Sequence, residues 1–269
     1  MSHYIEVEPK LNLYVEDVGE GQPIVFIHGW PVNHKMFEYQ FSQLPKHGFR
    51  CIGIDLRGYG KSDKPWCDYT YDQYADDIKK VLDALDLQDV TLCGFSMGGA
   101  IAIHYMARHA GARVKKLVLM GAAAPVFTKR DDYPHGLDKS VVDGLIEQCD
   151  KDRAKMLTDF GNIFFYKTDA LSPKLQDWFH SLGMEASSHA TVMSAIQLRD
   201  VDLRSELKDI NVPTIIFHGL NDKICPFVFA EQMQKEIKDS NIIFFEKSGH
   251  GLFWDEKEKF NAELMDFIK

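Results

Sequence analysis

The sequence predicts an α/β fold: a mainly parallel central sheet with an antiparallel hairpin at its N-terminal edge, helices on both faces, and a helical insertion. Three observations predict it. Six short apolar runs recur: Ile24–Ile27 (IVFI), Cys51–Ile54 (CIGI), Val90–Cys93 (VTLC), Leu117–Met120 (LVLM), Thr214–Phe217 (TIIF) and Ile242–Phe245 (IIFF). None shows polar alternation, which marks strands covered on both faces and hence mostly parallel. Helical patterns separate the runs, and such alternation builds right-handed crossovers. Between about residues 126 and 211 the alternation stops and only helical patterns remain.

Each element has its own signal. Ile5/Val7 and Leu11/Leu13/Val15 alternate on either side of Pro9-Lys10, a hairpin at the sheet edge. Tyr74, Ile78, Val81, Leu82 and Leu85 fall on one helical face. Further helical patterns begin after Gly98, after Pro226 and near Glu256. Within the insertion, Val141, Val142, Leu145, Ile146 and Cys149 have helical spacing. Ser172-Pro173 reads as an N-cap with proline at the first helical position. Leu175, Trp178, Phe179 and Leu182 continue that helix, and Gly183 is expected to end it. The chain thus divides into a core, residues 1–125 and 212–269, and a helical unit, 126–211.

With 269 residues, 45% hydrophobic and 26% charged, the chain has enough apolar surface for a full core without disulfide or metal staples. A formal net charge of −9 argues against nucleic acid as a partner, because phosphate binding needs basic surface. The five cysteines are odd in number and contain no C-x-x-C pair, which fits a reducing compartment. The segment MSHYIEVEPK lacks the basic and apolar regions of a secretory signal, and no apolar stretch approaches the ~20 residues of a membrane span. A cytoplasmic protein without membrane contact is expected.

The most informative segment is Gly94-Phe95-Ser96-Met97-Gly98-Gly99, between strand VTLC and an Ala-rich helical run. A serine on a tight strand-to-helix turn adopts a strained backbone, and glycines must flank it where a Cβ would clash. The turn lifts the hydroxyl above the sheet beside free N–H groups of the helix N-terminus, which favour developing negative charge. Such a serine needs a base, and the base an orienting acid. In this topology they follow at later strand ends, acid before base. TIIFHG leads to Asp222 and IIFFEKSG leads to His250. Asp222 is therefore expected to hold one ring nitrogen of His250 while the other faces Ser96.

Other signals carry less. Gly60-Lys61-Ser62 resembles the tail of a phosphate loop, but Asp55 stands where that motif needs glycine. Asp55 itself reads as part of a structural bend, and His28 and His218 as turn residues at strand ends. His104 and His109, five apart, do not share a helical face. There is no C-x-x-C-H or H-E-x-x-H, so no metal and no other cofactor is expected.

Taken together these segments resemble the α/β-hydrolase family, and within it the cofactor-free haloperoxidase and aryl-esterase group, the perhydrolases. His28-Gly29-Trp30-Pro31 is similar to the family's oxyanion loop, and Asp55–Asp63 to its D-x-R-G-x-G-x-S segment. Gly94–Gly99, His218-Gly219-x-x-Asp222 and Gly249-His250-Gly251 follow in the family's order. The resemblance implies Ser96 as nucleophile, His250 as base and Asp222 as its partner. It implies an oxyanion hole from the backbone N–H groups of Trp30 and Met97, and a cap formed by 126–211. His28, Phe164 and Trp178 are expected to line the substrate pocket. The expected activity is cleavage of carboxylic esters or lactones through an acyl-enzyme, with a small apolar acyl substrate. The acceptor would be water, or hydrogen peroxide in a perhydrolase side reaction. Dehalogenases and epoxide hydrolases of this fold use aspartate where Ser96 stands. Carbon–carbon bond hydrolases keep serine and are the rival enzyme class. A ligand-sensing regulator on the same fold is the rival outside enzymes.

Overall fold

A computed structural model describes residues 1–167 and 171–269. The strands are β1 (Ser2–Glu8), β2 (Leu11–Val18), β3 (Gln22–Ile27), β4 (Phe49–Ile54), β5 (Val90–Phe95), β6 (Val114–Met120), β7 (Thr214–Gly219) and β8 (Ser240–Phe245). They form one sheet in the order β1-β2-β4-β3-β5-β6-β7-β8. β1 and β2 pair antiparallel, β2 joins β4 antiparallel, and every later pairing is parallel. The fold is therefore the expected mainly parallel sheet with an antiparallel edge hairpin.

Burial follows position in the sheet. Every residue of β5 and β7 is buried, as the unalternating runs require. β8 departs from the expectation. It is the far edge of the sheet, so Ile242 and Ile243 are half-buried and Phe244 is 47% exposed. The Lys259 ammonium lies over the Phe244 and Phe245 rings and covers part of that edge.

Short helix α1 (Glu38–Phe41) follows β3, and α2 (Tyr71–Ala84) precedes β5. α2 opens with a capping box in which Thr70 and Gln73 each satisfy the other's backbone N–H. It buries Tyr74, Ile78, Val81 and Leu82. α3 (Met97–Arg108) crosses from β5 to β6, α7 (Val228–Glu236) lies between β7 and β8, and α8 (Leu252–Asp255) and α9 (Lys257–Ile268) end the chain.

Residues 126–211 carry α4 (Lys139–Phe164), α5 (Pro173–Met184) and α6 (Ser188–Asp200), with only isolated bridges among their described residues. Ser172 caps α5 by accepting the Leu175 N–H at 3.1 Å. Gly183 does not end that helix, which continues to Met184. A Cβ on Gly183 would lie 2.9 Å from Leu157 Cδ2, so the glycine serves the close approach of α5 to α4. α4 bends at Asp152, whose backbone is extended (φ −159°, ψ 81°). Asp152 Oδ1 accepts the Lys155 N–H at 2.9 Å and caps the second half of the helix.

The Asp55–Asp63 bend is a scaffold. Asp55 Oδ1 accepts from His34 Nδ1 at 2.6 Å and Oδ2 from the Lys61 N–H at 2.8 Å. The Arg57 guanidinium makes a two-pronged pair with Asp77 at 2.6 and 2.7 Å.

Candidate active site

β5 ends at Phe95 and α3 begins at Met97, leaving Ser96 alone at the turn with φ 54° and ψ −119°. A side chain at positive φ costs about 1–3 kcal/mol and persists only where its surroundings enforce it. Here the Ser96 N–H donates to Met120 O at 2.9 Å, and Ser96 O accepts from Gly99 and Ala123 at 2.9 and 3.0 Å. Glycine is required at the crossing of strand and helix. A Cβ on Gly94 would stand 2.4 Å from Gly98 O, and one on Gly98 would stand 2.4 Å from Ile27 O.

Asp222 sits on the loop after β7 with its carboxylate fully enclosed. Oδ1 accepts the N–H groups of Ile224 and Cys225, each at 2.8 Å. Oδ2 lies 2.7 Å from His250 Nδ1. An acceptor so placed keeps the proton on Nδ1 and leaves the Nε2 lone pair free to take another. The imidazole is wedged between the rings of Phe95 and Phe164, at centroid distances of 4.7 and 5.1 Å. His250 Nε2 is buried and has no hydrogen-bond partner among the described residues. The Cys225 thiol is fully buried, and burial pushes it well above the usual cysteine range.

Trp30 follows β3 on the loop facing this turn, and Met97 is the first residue of α3. Neither amide donates a backbone hydrogen bond among the described residues. The Trp30 indole N–H donates to Thr191 O on α6 at 2.8 Å, and its ring meets Phe160 of α4 edge-on. Ser96 and Trp30 open onto a cavity of about 300 Å³. Its walls include Phe127, Val142, Leu145, Met156, Phe160, Ile163, Leu198 and Ile224, with Gln148, Asp159 and Lys223 as polar members. That volume and apolar lining suit a small organic ligand.

A family model described as alpha/beta hydrolase fold matches residues 22–257. The chain belongs to the α/β-hydrolase fold family. Among relatives of this α/β-hydrolase, AB hydrolase superfamily protein YisY of Bacillus subtilis is 56% identical, over 99% of both chains. The bifunctional esterase/perhydrolase DCH of Acinetobacter calcoaceticus is 30% identical, also over 99% of both. The structure of an esterase (EaEST) from Exiguobacterium antarcticum matches at TM-score 0.97 and 52% identity, covering 100% of this chain and 99% of that one. The chain is a hydrolase, similar to esterases and perhydrolases over its full length.

Three expected lining residues of this hydrolase lie elsewhere. His28 does not border the cavity: its Nδ1–H donates to Gly29 O at 2.9 Å and its Nε2 accepts from the Leu56 N–H at 3.1 Å. Burial lowers it to about 4, so it is a neutral turn residue. Phe164 is fully buried against the His250 ring and is not among the residues that line the cavity. Trp178 faces a separate surface groove with Glu16, His34 and Phe41. The helical residues that do reach the cavity from α4 include Val142, Leu145 and Phe160.

Two contributors carried no recognisable motif. Cys225 meets Asp222 through its N–H. Its position three residues after Asp222 was the available signal. Asp255 Oδ2 accepts the N–H groups of Gly249 and Tyr166, tying the histidine loop to the chain that leaves α4. Nothing in a local pattern announces that contact.

Proposed function

We propose that this α/β-hydrolase cleaves carboxylic esters or lactones through an acyl-enzyme on Ser96. The observation that carries the reading is the Asp222–His250 pair, which leaves a buried, unpartnered Nε2 at the end of the sheet where the strained Ser96 meets an apolar cavity. In this relay the Ser96 hydroxyl turns toward Nε2. Ser96 Oγ then attacks the carbonyl carbon while His250 Nε2 takes its proton, and Asp222 holds the resulting imidazolium. The amides of Trp30 and Met97 receive the oxyanion, each donor lowering the barrier by ~3 kcal/mol. Collapse of the intermediate expels the alcohol, which takes the proton from His250. Water, deprotonated by the same nitrogen, attacks the acyl-enzyme and releases the acid. Hydrogen peroxide in place of water releases a peracid, which oxidises halide away from the enzyme.

Residues 126–211 are read as a cap on the core formed by 1–125 and 212–269, on the support that α4 and α6 provide most of the cavity wall. Among the described residues no helix is long and apolar enough to cross a membrane. A cytoplasmic location is part of the proposal and rests on five unpaired cysteines.

The test is hydrolysis of 4-nitrophenyl acetate by the wild type and by Ser96→Ala, with circular dichroism to establish that the variant is folded. Turnover should be abolished, and undiminished turnover in the variant overturns the assignment. Repeating the assay with peroxide and a halogenation reporter measures the second acceptor.

A further inference from the structure

The cavity wall is apolar except for three side chains besides Ser96: Gln148 and Asp159 of α4, and Lys223 on the loop before α7. Asp159 is already matched, since Lys155 Nζ lies 2.5 Å from its carboxylate. The Lys223 ammonium has no ion pair or hydrogen bond among the described residues, and neither has the Gln148 amide. Lys223 is thus the one unmatched charge among the described residues that line this cavity. At physiological salt the repulsion from remote carboxylates fades within ~8 Å, and the nearest unmatched charge decides what an entering ligand feels.

We propose that the preferred substrate is an ester bearing a free carboxylate, held by the Lys223 ammonium with the Gln148 amide as a second donor. The proposal rests on the ester-hydrolysis reading and narrows it. Apolar walls accommodate the carbon skeleton, and the charged group stops at the rim where water keeps its desolvation cost low. An ammonium on a flexible stem acts as a point charge and tolerates carboxylates at somewhat different reach. Lys223 adjoins Asp222, so a substitution there also disturbs the base. The informative quantity is therefore the ratio of kcat/KM for an anionic ester to that for a neutral analogue, because both substrates share the base and the effect on it cancels.

Two substrate pairs locate the carboxylate. The 4-nitrophenyl monoesters of glutarate and adipate, against their ω-methyl esters, place it on the acyl side. 4-Acetoxybenzoate against 4-acetoxybenzamide places it on the alcohol side. Expected is a wild-type preference for the anionic member of one pair, weakening as salt rises. In Lys223→Gln the ratio for that pair falls about tenfold, as for loss of a partly exposed charge-assisted contact. It falls further in Lys223→Glu and recovers in Lys223→Arg. Ratios that agree within about twofold across all four proteins, while the neutral esters are still cleaved in a Ser96-dependent manner, overturn this inference and leave the esterase reading standing. Failure of every ester to turn over overturns both.

Discussion

Asp255 Oδ2 accepts the backbone N–H of Gly249 at 2.9 Å, one residue before His250. The same oxygen takes the Tyr166 N–H at 3.0 Å, and the Gly251 N–H donates to Phe164 O at 2.9 Å. The loop that carries the imidazole is thus fastened on both sides to the segment where α4 ends.

Burial raises the Asp255 carboxyl to about 6. With an unfolded value near ~3.9, the folded protein holds the extra proton between the two, and ionisation above pH 6 costs stability. Asp255→Asn keeps an acceptor oxygen and removes the charge. Its urea midpoint should equal or exceed that of the wild type at pH 8, with the gain shrinking at pH 5. Asp255→Ala leaves two N–H groups unpaired and should lose ~1–3 kcal/mol together with turnover. A midpoint for Asp255→Asn as low as that of Asp255→Ala at pH 8 contradicts this account.

His34 gives the opposite dependence. Its ring nitrogens lie 2.6 Å from Asp55 and 2.6 Å from Glu16, and despite burial these partners push it up to about 9. A raised histidine contributes stability that is complete below its unfolded value near ~6.5 and is lost as pH rises through 9. Thermal midpoints should fall between pH 7 and 9.5 in the wild type, and less steeply in His34→Gln. Parallel slopes for the two proteins would show that the pair does not govern alkaline stability.

Two glycine-to-alanine changes should differ in sign. A Cβ at Gly98 meets Ile27 O at 2.4 Å and His28 O at 2.5 Å, both backbone atoms that cannot move without parting α3 from β3. Gly98→Ala is expected to cost ~1–3 kcal/mol or more. Gly144 lies inside α4 with no atom within 4 Å of an added Cβ. Gly144→Ala should gain ~0.5–1 kcal/mol from helix propensity. Differential scanning calorimetry of both variants checks the pair.

The Cys225 thiol is fully buried and held neutral. Neutral, enclosed thiols react slowly, so brief iodoacetamide treatment of the folded protein should label Cys67, which is half-buried, before Cys225. Ester turnover should survive that treatment. Peptide mass mapping reads the order, and early labelling of Cys225 would contradict it.

The parallel strands were legible as unalternating apolar runs, the edge hairpin as an alternating pair, and the order Ser96, Asp222, His250 from the turns that close three of those runs. The exposure of β8 was not, since the same four residues IIFF serve a central or an edge strand and only the sheet order decides. Lining residues were misjudged for a related reason. Phe160 and Phe164 share a helix, yet one borders the cavity and the other packs against His250 outside its lining. That distinction depends on how α4 crosses the sheet, which spacing does not encode. Cys225 and Asp255 act through backbone amides and a partner far along the chain, so neither leaves a motif.

The bend at Asp152 places Val142, Leu145 and Gln148 on one arm of α4 and Met156, Asp159 and Phe160 on the other, both facing the same space. The bore of that space therefore depends in part on the angle of this joint. Substitutions that cap residue 152 differently would retune the size of molecule admitted while leaving Ser96, Asp222 and His250 on an unaltered sheet.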